Sequence, residues 1–183
     1  MTQPPEQLLM DRSRVEQVLS RMAREIVAMA GGTEGLVLMG IHRRGVPLAE
    51  RLAAEIEKSE GHRVPAGSLD ITLYRDDLMA IGPRPVVGET RLPPAGIDGA
   101  VVVIVDDVLY TGRTVRAALD ELADFGRPRR TLLATLVDRG GRELPIHADV
   151  VGERVEVPAG GRVDVLVPEL DGELGVRLVE ETR

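Results

Sequence analysis

The stretch Val101-Val-Val-Ile-Val-Asp106-Asp107-Val-Leu-Tyr110-Thr111-Gly112-Arg113-Thr114 decides how the rest of the chain is read. Residues 100–105 are an unbroken apolar and largely β-branched run, which predicts a strand buried on both faces. Two acids end that strand and a Thr-Gly turn follows. Val115, Ala118, Leu119 and Leu122 then recur at helical spacing until Gly126 and Pro128 close the helix. In an open α/β sheet, ligands sit beyond the carboxyl ends of the strands. The N–H groups that open the following helix, with the hydroxyls of Thr111 and Thr114, suit an anion. The paired carboxylates do not, since like charges repel; they suit ribose hydroxyls or a hydrated Mg²⁺ ion. Residue by residue, the stretch reads equally well as an acidic strand end with an ordinary turn; the joint pattern favours a phosphate-and-ribose loop. A P-loop would need Gly-x-x-x-x-Gly-Lys and a dinucleotide fold Gly-x-Gly-x-x-Gly, and neither stands here.

Working outward, the same alternation repeats. Ser13-Arg-Val-Glu16 fits a capping box, and Val15, Val18, Leu19, Met22 and Ile26 form the apolar stripe of a helix that ends near Gly31-Gly32. Residues 36–41 form an apolar run of strand length. Pro47 then opens a second helix marked by Leu48, Leu52, Ala53 and Ile56. Residues 69–74 alternate as a strand, and 131–137 read as another. Residues 75–99 are rich in Pro and Gly, without a period, and read as a long exposed loop of the kind that often serves as a lid. After Val137 short runs broken by Pro158-Ala-Gly-Gly161 and Asp171-Gly172 suggest hairpins. Strand–helix–strand alternation predicts an α/β fold with a mostly parallel central sheet flanked by helices.

Composition narrows the function classes. A chain of 183 residues fits one domain and buries enough surface to need no staple. Tyr74, Tyr110 and Phe125 are its aromatics, so the core is built from Val, Leu, Ile and Ala, and no aromatic cluster exists to stack many bases. The net charge of −7 excludes a polyanion-binding surface over the whole molecule but leaves room for a local patch. Lys58 is the one lysine among 23 basic residues, the rest being arginines, whose planar fork suits phosphates. The absence of cysteine excludes disulfides and thiolate zinc sites. A polar start at residues 1–5, with no apolar run near 18 residues, leads us to expect a cytoplasmic protein with no membrane partner.

The stretch from Val101 to Thr114 resembles the signature of type I phosphoribosyltransferases. More narrowly, Leu69-Asp-Ile-Thr-Leu-Tyr-Arg-Asp-Asp-Leu78, residues 106–116, Leu136-Val-Asp-Arg-Gly140 and Arg142-Glu-Leu-Pro-Ile146 resemble the PyrR family, pyrimidine operon regulators with uracil phosphoribosyltransferase activity. The resemblance runs over roughly residues 8–152 and thins towards the C-terminal end. It implies the type I phosphoribosyltransferase fold as a single domain, with a flexible loop near 75–99 and a small hood mainly from 138–161. It implies conversion of uracil and phosphoribosyl pyrophosphate (PRPP) to UMP and diphosphate, with Mg²⁺ held indirectly, together with PRPP, at Asp106 and Asp107. Those two acids would hold the ribose, Thr111, Gly112, Arg113 and Thr114 would take the 5′-phosphate, and Val108, Leu109 and Tyr110 would belong to the same PRPP-binding loop. Gly40-Ile41-His42-Arg43-Arg44-Gly45 resembles the pyrophosphate loop, with Arg44 on the leaving group; His42 and Arg43 read alone are also ordinary solvated loop residues. Arg75 would open the closing loop and act in catalysis, and Val137, Asp138 and Arg139 would hold uracil. Oxopurine enzymes usually place Asp before the Thr-Gly, where this chain has Tyr110, which favours a pyrimidine.

The resemblance also implies UMP-dependent binding of pyrimidine operon leader mRNA (transcription attenuation) and self-association as a homodimer or larger homo-oligomer. Ser20, Arg21 and Arg24 align with the family's RNA-contacting helix, and Arg139 and Arg142 would add to that face. Arg14, Gln17, Arg21 and Arg24 fall on one side of the helix; paired with Glu16 and Glu25, they are also a solvated face. The chain departs from the family at Gly141 (usually His), His147 (usually Arg) and Glu153 (usually Lys), and a usual Thr-Ser pair is missing from 155–161. Each departure removes a cation or hydrogen-bonding group, so the RNA affinity expected is a reduced one. A UMP sensor with little catalysis and a transferase without RNA binding remain alternatives.

Overall fold

The computed structural model describes residues 5–77 and 88–180. Five strands form a parallel sheet in the order β3-β2-β4-β5-β6, where β2 is Leu36–Ile41, β3 Ala66–Leu69, β4 Val101–Leu109, β5 Arg130–Asp138 and β6 Val150–Arg154. The side-chain period of two divides this sheet between two cores. Leu36, Leu38, Val101, Val103 and Val105 pack under helices α1 (Arg12–Ala30) and α2 (Gly45–Glu60). Val37, Met39, Val102 and Ile104 face the opposite way, under α3 (Arg113–Phe125). The apolar stripes read for α1 and α2 are buried throughout. No helix among the described residues is long and apolar enough to cross a membrane.

Several boundaries differ from the sequence reading. Helix α1 begins two residues earlier than the Ser13 capping box would start it, because Asp11 accepts the Arg14 N–H at 2.8 Å and caps it. The strand read over 69–74 stops at Leu69. There the Asp70 carboxylate accepts both the N–H and the hydroxyl of Thr72, turning the chain into a 3₁₀ turn at Thr72–Tyr74. Strand β4 runs on past both acids, since Asp106 and Leu109 keep their pairing with Thr135 and Asp138 on β5.

After β5 the chain makes no hairpin but returns through residues 139–149 to lay β6 parallel beside it, Ala134 opposite Val150. A second, antiparallel sheet has the order β1-β8-β7, with β1 Glu6–Met10, β7 Gly161–Leu166 and β8 Gly175–Glu180. The connection between β7 and β8 carries the short helix α4, Pro168–Asp171. This sheet lies largely outside the 138–161 segment assigned to a hood. Its Met10, Val163, Val165 and Val176 join the core beneath α1 and α2. Of the loop read over 75–99, residues 78–87 lie outside the described residues. The part from 88 onward lies against the body: Ser68 and Arg91 exchange N–H···O bonds at 2.9 Å, and Ile97 is buried.

Candidate active site

The carboxyl ends of β2 and β4 open on a cleft of about 670 Å³. Two glycines explain why the β2–α2 connection fits there. A Cβ on Gly40 would meet the Gly45 backbone, and a Cβ on Gly45 would meet the Val105 carbonyl, so the loop is folded tightly back on the sheet. That loop brings Ile41, His42, Arg43 and Arg44 to one side of the cleft, and β4 brings Asp106, Asp107 and Val108, with Thr114 beyond. The structure thus joins the two loops that the sequence analysis singles out, some 60 residues apart in the chain.

On β4, Asp106 is buried and Asp107 half-buried. Their backbones turn on their own side chains: the Asp107 N–H donates to Asp106 and the Val108 N–H to Asp107, both at 2.9 Å. Burial, then the neighbouring Asp107 charge, pushes the Asp106 carboxyl well above the usual range. Beyond them, Val108, Leu109, Tyr110, Thr111, Gly112 and Thr114 surround a niche of about 110 Å³. Gly112 at φ +93 makes the left-handed turn into α3, a conformation that side-chain-bearing residues rarely adopt. The Thr111 hydroxyl accepts the Arg113 N–H at 3.3 Å. The Arg113 side chain pairs with Asp76 at 2.7 Å and Glu143 at 2.8 Å and borders a neighbouring pocket with Arg75, Asp77, Thr111 and Thr114.

Arg44 is held by Asp171 of α4 at 2.7 Å, and that hydrogen bond is the main cause that keeps its guanidinium above its ordinary pKa. Nothing in the sequence pairs these two residues. Arg75 lines the cleft and bonds Asp77 through two nitrogens at 2.6 and 2.8 Å. The cleft also takes in Asp70, Ile71, Thr72 and Gly88, which were not among the candidate site residues. Burial raises the Asp70 carboxyl, but hydrogen bonds from Thr72 and from the Gly88 N–H outweigh it and leave it below the ordinary value. The signal was present in the Leu69-Asp-Ile-Thr motif, where Asp and Thr two residues apart read as a strand instead of a turn.

The base and RNA candidates are not part of the cleft's lining. Val137 is fully buried in the core, paired on β5 between Val108 of β4 and Glu153 of β6, and lines none of these pockets. Asp138, Arg139 and Arg142 line a separate pocket of about 510 Å³ with His147 and Arg154. Tyr110 connects the regions: the Arg139 guanidinium stacks 3.9 Å from its ring centroid, and both border a further pocket. Arg142 donates to the carbonyls of Tyr110 at 2.8 Å and Ile146 at 2.7 Å and to Asp138 at 2.7 Å, so it organises the 139–147 loop from within. On α1, half-buried Arg21 bonds Glu25 and the carbonyls of Val151 and Gly152 on β6. Exposed Arg24 donates to Ser20 at 3.3 Å. Glu153, on β6, pairs with Arg14.

The residues present fit Mg²⁺ delivered with a diphosphate. Among the described residues no cluster of three or more ligating side chains could hold a metal alone. Two adjacent carboxylates beside the 41–45 and 108–114 loops match an ion that keeps its waters and takes further ligands from substrate phosphates.

Comparison with known proteins gives the lineage. The family described as "Phosphoribosyl transferase domain" matches residues 9–162. A "Bifunctional protein PyrR" of Thermus aquaticus is 58% identical over 173 residues, covering 94% of this chain and 95% of that one. Another, from Pelotomaculum thermopropionicum, is 53% identical and covers 94% of each. Both alignments therefore extend well past the 8–152 span of the sequence resemblance. Among solved structures, a hypoxanthine-guanine phosphoribosyltransferase of Bacillus anthracis superposes with a TM-score of 0.73 over 97% of this chain and 99% of that one, at 17% identity, which speaks for the fold alone. With its parallel sheet, its two loops meeting in one cleft, and these relatives, the chain belongs to the phosphoribosyl transferase domain family and, within it, to the PyrR proteins.

Proposed function

We propose that this chain transfers the phosphoribosyl group of PRPP to uracil, forming UMP and diphosphate, and that with UMP bound it regulates pyrimidine operons through leader mRNA. The observation that carries the reading is the meeting of the 41–45 loop with Asp106, Asp107 and Thr114 around one cleft. Asp106 and Asp107 bind the ribose hydroxyls. Backbone N–H groups at 111–114 orient the 5′-phosphate in the niche below α3. The bond from ribose C1 to the diphosphate lengthens, positive charge builds on the sugar, and Arg44 with the 41–45 backbone neutralises the departing anion. Asp106 and Asp107 would hold Mg²⁺ indirectly, together with PRPP, and the ion would supply charge neutralisation for that diphosphate. Asp138 and Arg139, which follow the buried Val137, receive the base, with Tyr110 in the position ahead of Thr-Gly.

The chain acts as one phosphoribosyltransferase domain that self-associates in the cytoplasm; the lid over 75–99 and a hood near 138–161 belong to this reading. The test is direct. Purified protein with Mg²⁺, PRPP and a panel of bases should form UMP from uracil in preference to any purine nucleotide. No UMP, together with no calorimetric binding of PRPP, overturns the proposal. Preference for hypoxanthine or guanine would reassign the base.

A further inference from the structure

Helix α3 buries Val115, Ala117, Ala118 and Leu122, and on the same face it buries Glu121, which is 2% exposed. A carboxylate in this position is costly to bury. Burial pushes its carboxyl up, the Thr90 hydrogen bond opposes that, and the Asp70 charge adds to it. One oxygen, Oε1, accepts the Thr90 hydroxyl; the other has no hydrogen-bond partner among the described residues. Packing alone would favour leucine here, so what sets the carboxylate apart is what it holds.

What it holds is a strip of chain along the cleft. The Thr90 hydroxyl that donates to Glu121 also accepts the Asp70 N–H at 3.0 Å. Asp70 in turn accepts the Gly88 N–H, Ser68 donates to the Glu89 carbonyl at 3.0 Å, and His42 Nε2 meets that same carbonyl at 3.0 Å. Asp70, Thr72, Gly88 and His42 line the cleft, whereas Glu121 does not.

We propose that Glu121 is a positioning residue: acting through the Thr90 hydroxyl, it fixes residues 70–72 and 88–90 in the arrangement that receives the phosphoribosyl donor. The inference rests on the transferase reading for its substrate, but the tether itself does not depend on it. Glu121→Leu and Thr90→Val each break the tether with little change of volume, while Glu121→Gln keeps an acceptor for the Thr90 hydroxyl. Glu121→Leu is expected to unfold at the same or a higher denaturant concentration than the parent. In both tether-breaking variants the KM for PRPP should rise about tenfold, the equivalent of one lost hydrogen bond, with kcat nearly unchanged. Glu121→Gln should restore the parent KM, and the double variant Glu121→Leu/Thr90→Val should be no worse than either single one. Amide exchange at Thr90 and Arg91 should quicken in the tether-breaking variants and stay slow in Glu121→Gln.

Parent-like KM and exchange in both tether-breaking variants overturns the proposal. So does a Glu121→Gln variant as impaired as Glu121→Leu. If Glu121→Leu does not fold, Thr90→Val and Glu121→Gln carry the comparison. Should the parent bind no PRPP, the transferase reading fails, and the exchange measurements alone decide whether the tether exists.

Discussion

The Arg44 guanidinium meets the Asp171 carboxylate at 2.7 and 3.3 Å, and the same carboxylate accepts the Val167 N–H at 2.8 Å. One side chain thus ties the loop after β2 to the turn that joins β7 to β8. Burial raises the Asp171 carboxyl, but hydrogen bonds from Arg44 and Val167 and the nearby arginine charges leave it below its ordinary value. A carboxyl depressed in this way adds stability above its unfolded pKa of about 4 and loses it as pH falls through the folded value. Asp171→Asn should therefore cost about 1 kcal/mol at pH 7, a figure reduced for solvent around the partly exposed Arg44. Urea titrations at pH 7 and pH 3 check this; a gap that does not narrow in acid counts against the pairing.

The adjacent acids on β4 should separate stability from chemistry. Asp106 is buried beside another carboxylate, so Asp106→Asn removes a repulsion and should leave the urea midpoint unchanged or raised. Asp107→Asn should also leave stability nearly intact, because the residue lies at the cleft and outside the packed core. Either change should slow UMP formation by about a hundredfold or more, as removal of a charge-stabilising group does. A large stability loss in both would point to a structural role for the pair.

Arg142 binds the Asp138 carboxylate and the carbonyls of Tyr110, Gly140 and Ile146, and its side chain is only 17% exposed. Arg142→Met should cost about 3 kcal/mol, since it leaves Asp138 with the Gly140 N–H but no bonded cation and takes the Arg142 donors from the Tyr110 and Ile146 carbonyls. Arg142→Lys should recover little, because a point charge cannot replace a planar fork. Thermal unfolding of the three proteins gives the answer.

On the RNA face, Arg21 and Arg24 should part company. Arg21 supports β6 through two carbonyls, so Arg21→Ala should lower stability whatever it does to RNA. Arg24 is exposed and among the described residues bonds only Ser20, so Arg24→Ala should leave stability unchanged. If leader RNA is bound through this helix, Arg24→Ala should lower the salt slope of binding by about one unit. Filter binding with UMP across several salt concentrations, against a scrambled hairpin, measures it; an unchanged slope leaves the helix a solvated face.

The sequence made some parts of this molecule plain and hid others for physical reasons. Strand β4 and the loop after it were legible because their signals are local: an apolar run, two acids and a turn within fourteen residues. The stripe of α1 was legible because one helical face is buried along its length. Asp70 was misread because a hydroxyl and a carboxylate two residues apart fit an alternating strand as well as a side-chain-locked turn. The Arg44–Asp171 pair spans 127 positions, and no local pattern encodes a contact at that range. Glu121 was passed over since a glutamate on an amphipathic helix is ordinarily assigned to solvent. Strand β1 is five residues of mixed character, Glu-Gln-Leu-Leu-Met, and acquires its meaning only from β8.

That last pairing sets an order of events during synthesis. The parallel sheet is complete once Arg154 has been added, whereas β1 cannot dock until residues 175–180 exist. On the ribosome the nucleotide-handling half can close early, while Glu6–Met10 waits with both edges open for a partner made near the end of translation. For that interval Leu8 and its neighbours are a template to which another growing copy could pair, and Glu6, at the start of the strand, is the one charge there to discourage it.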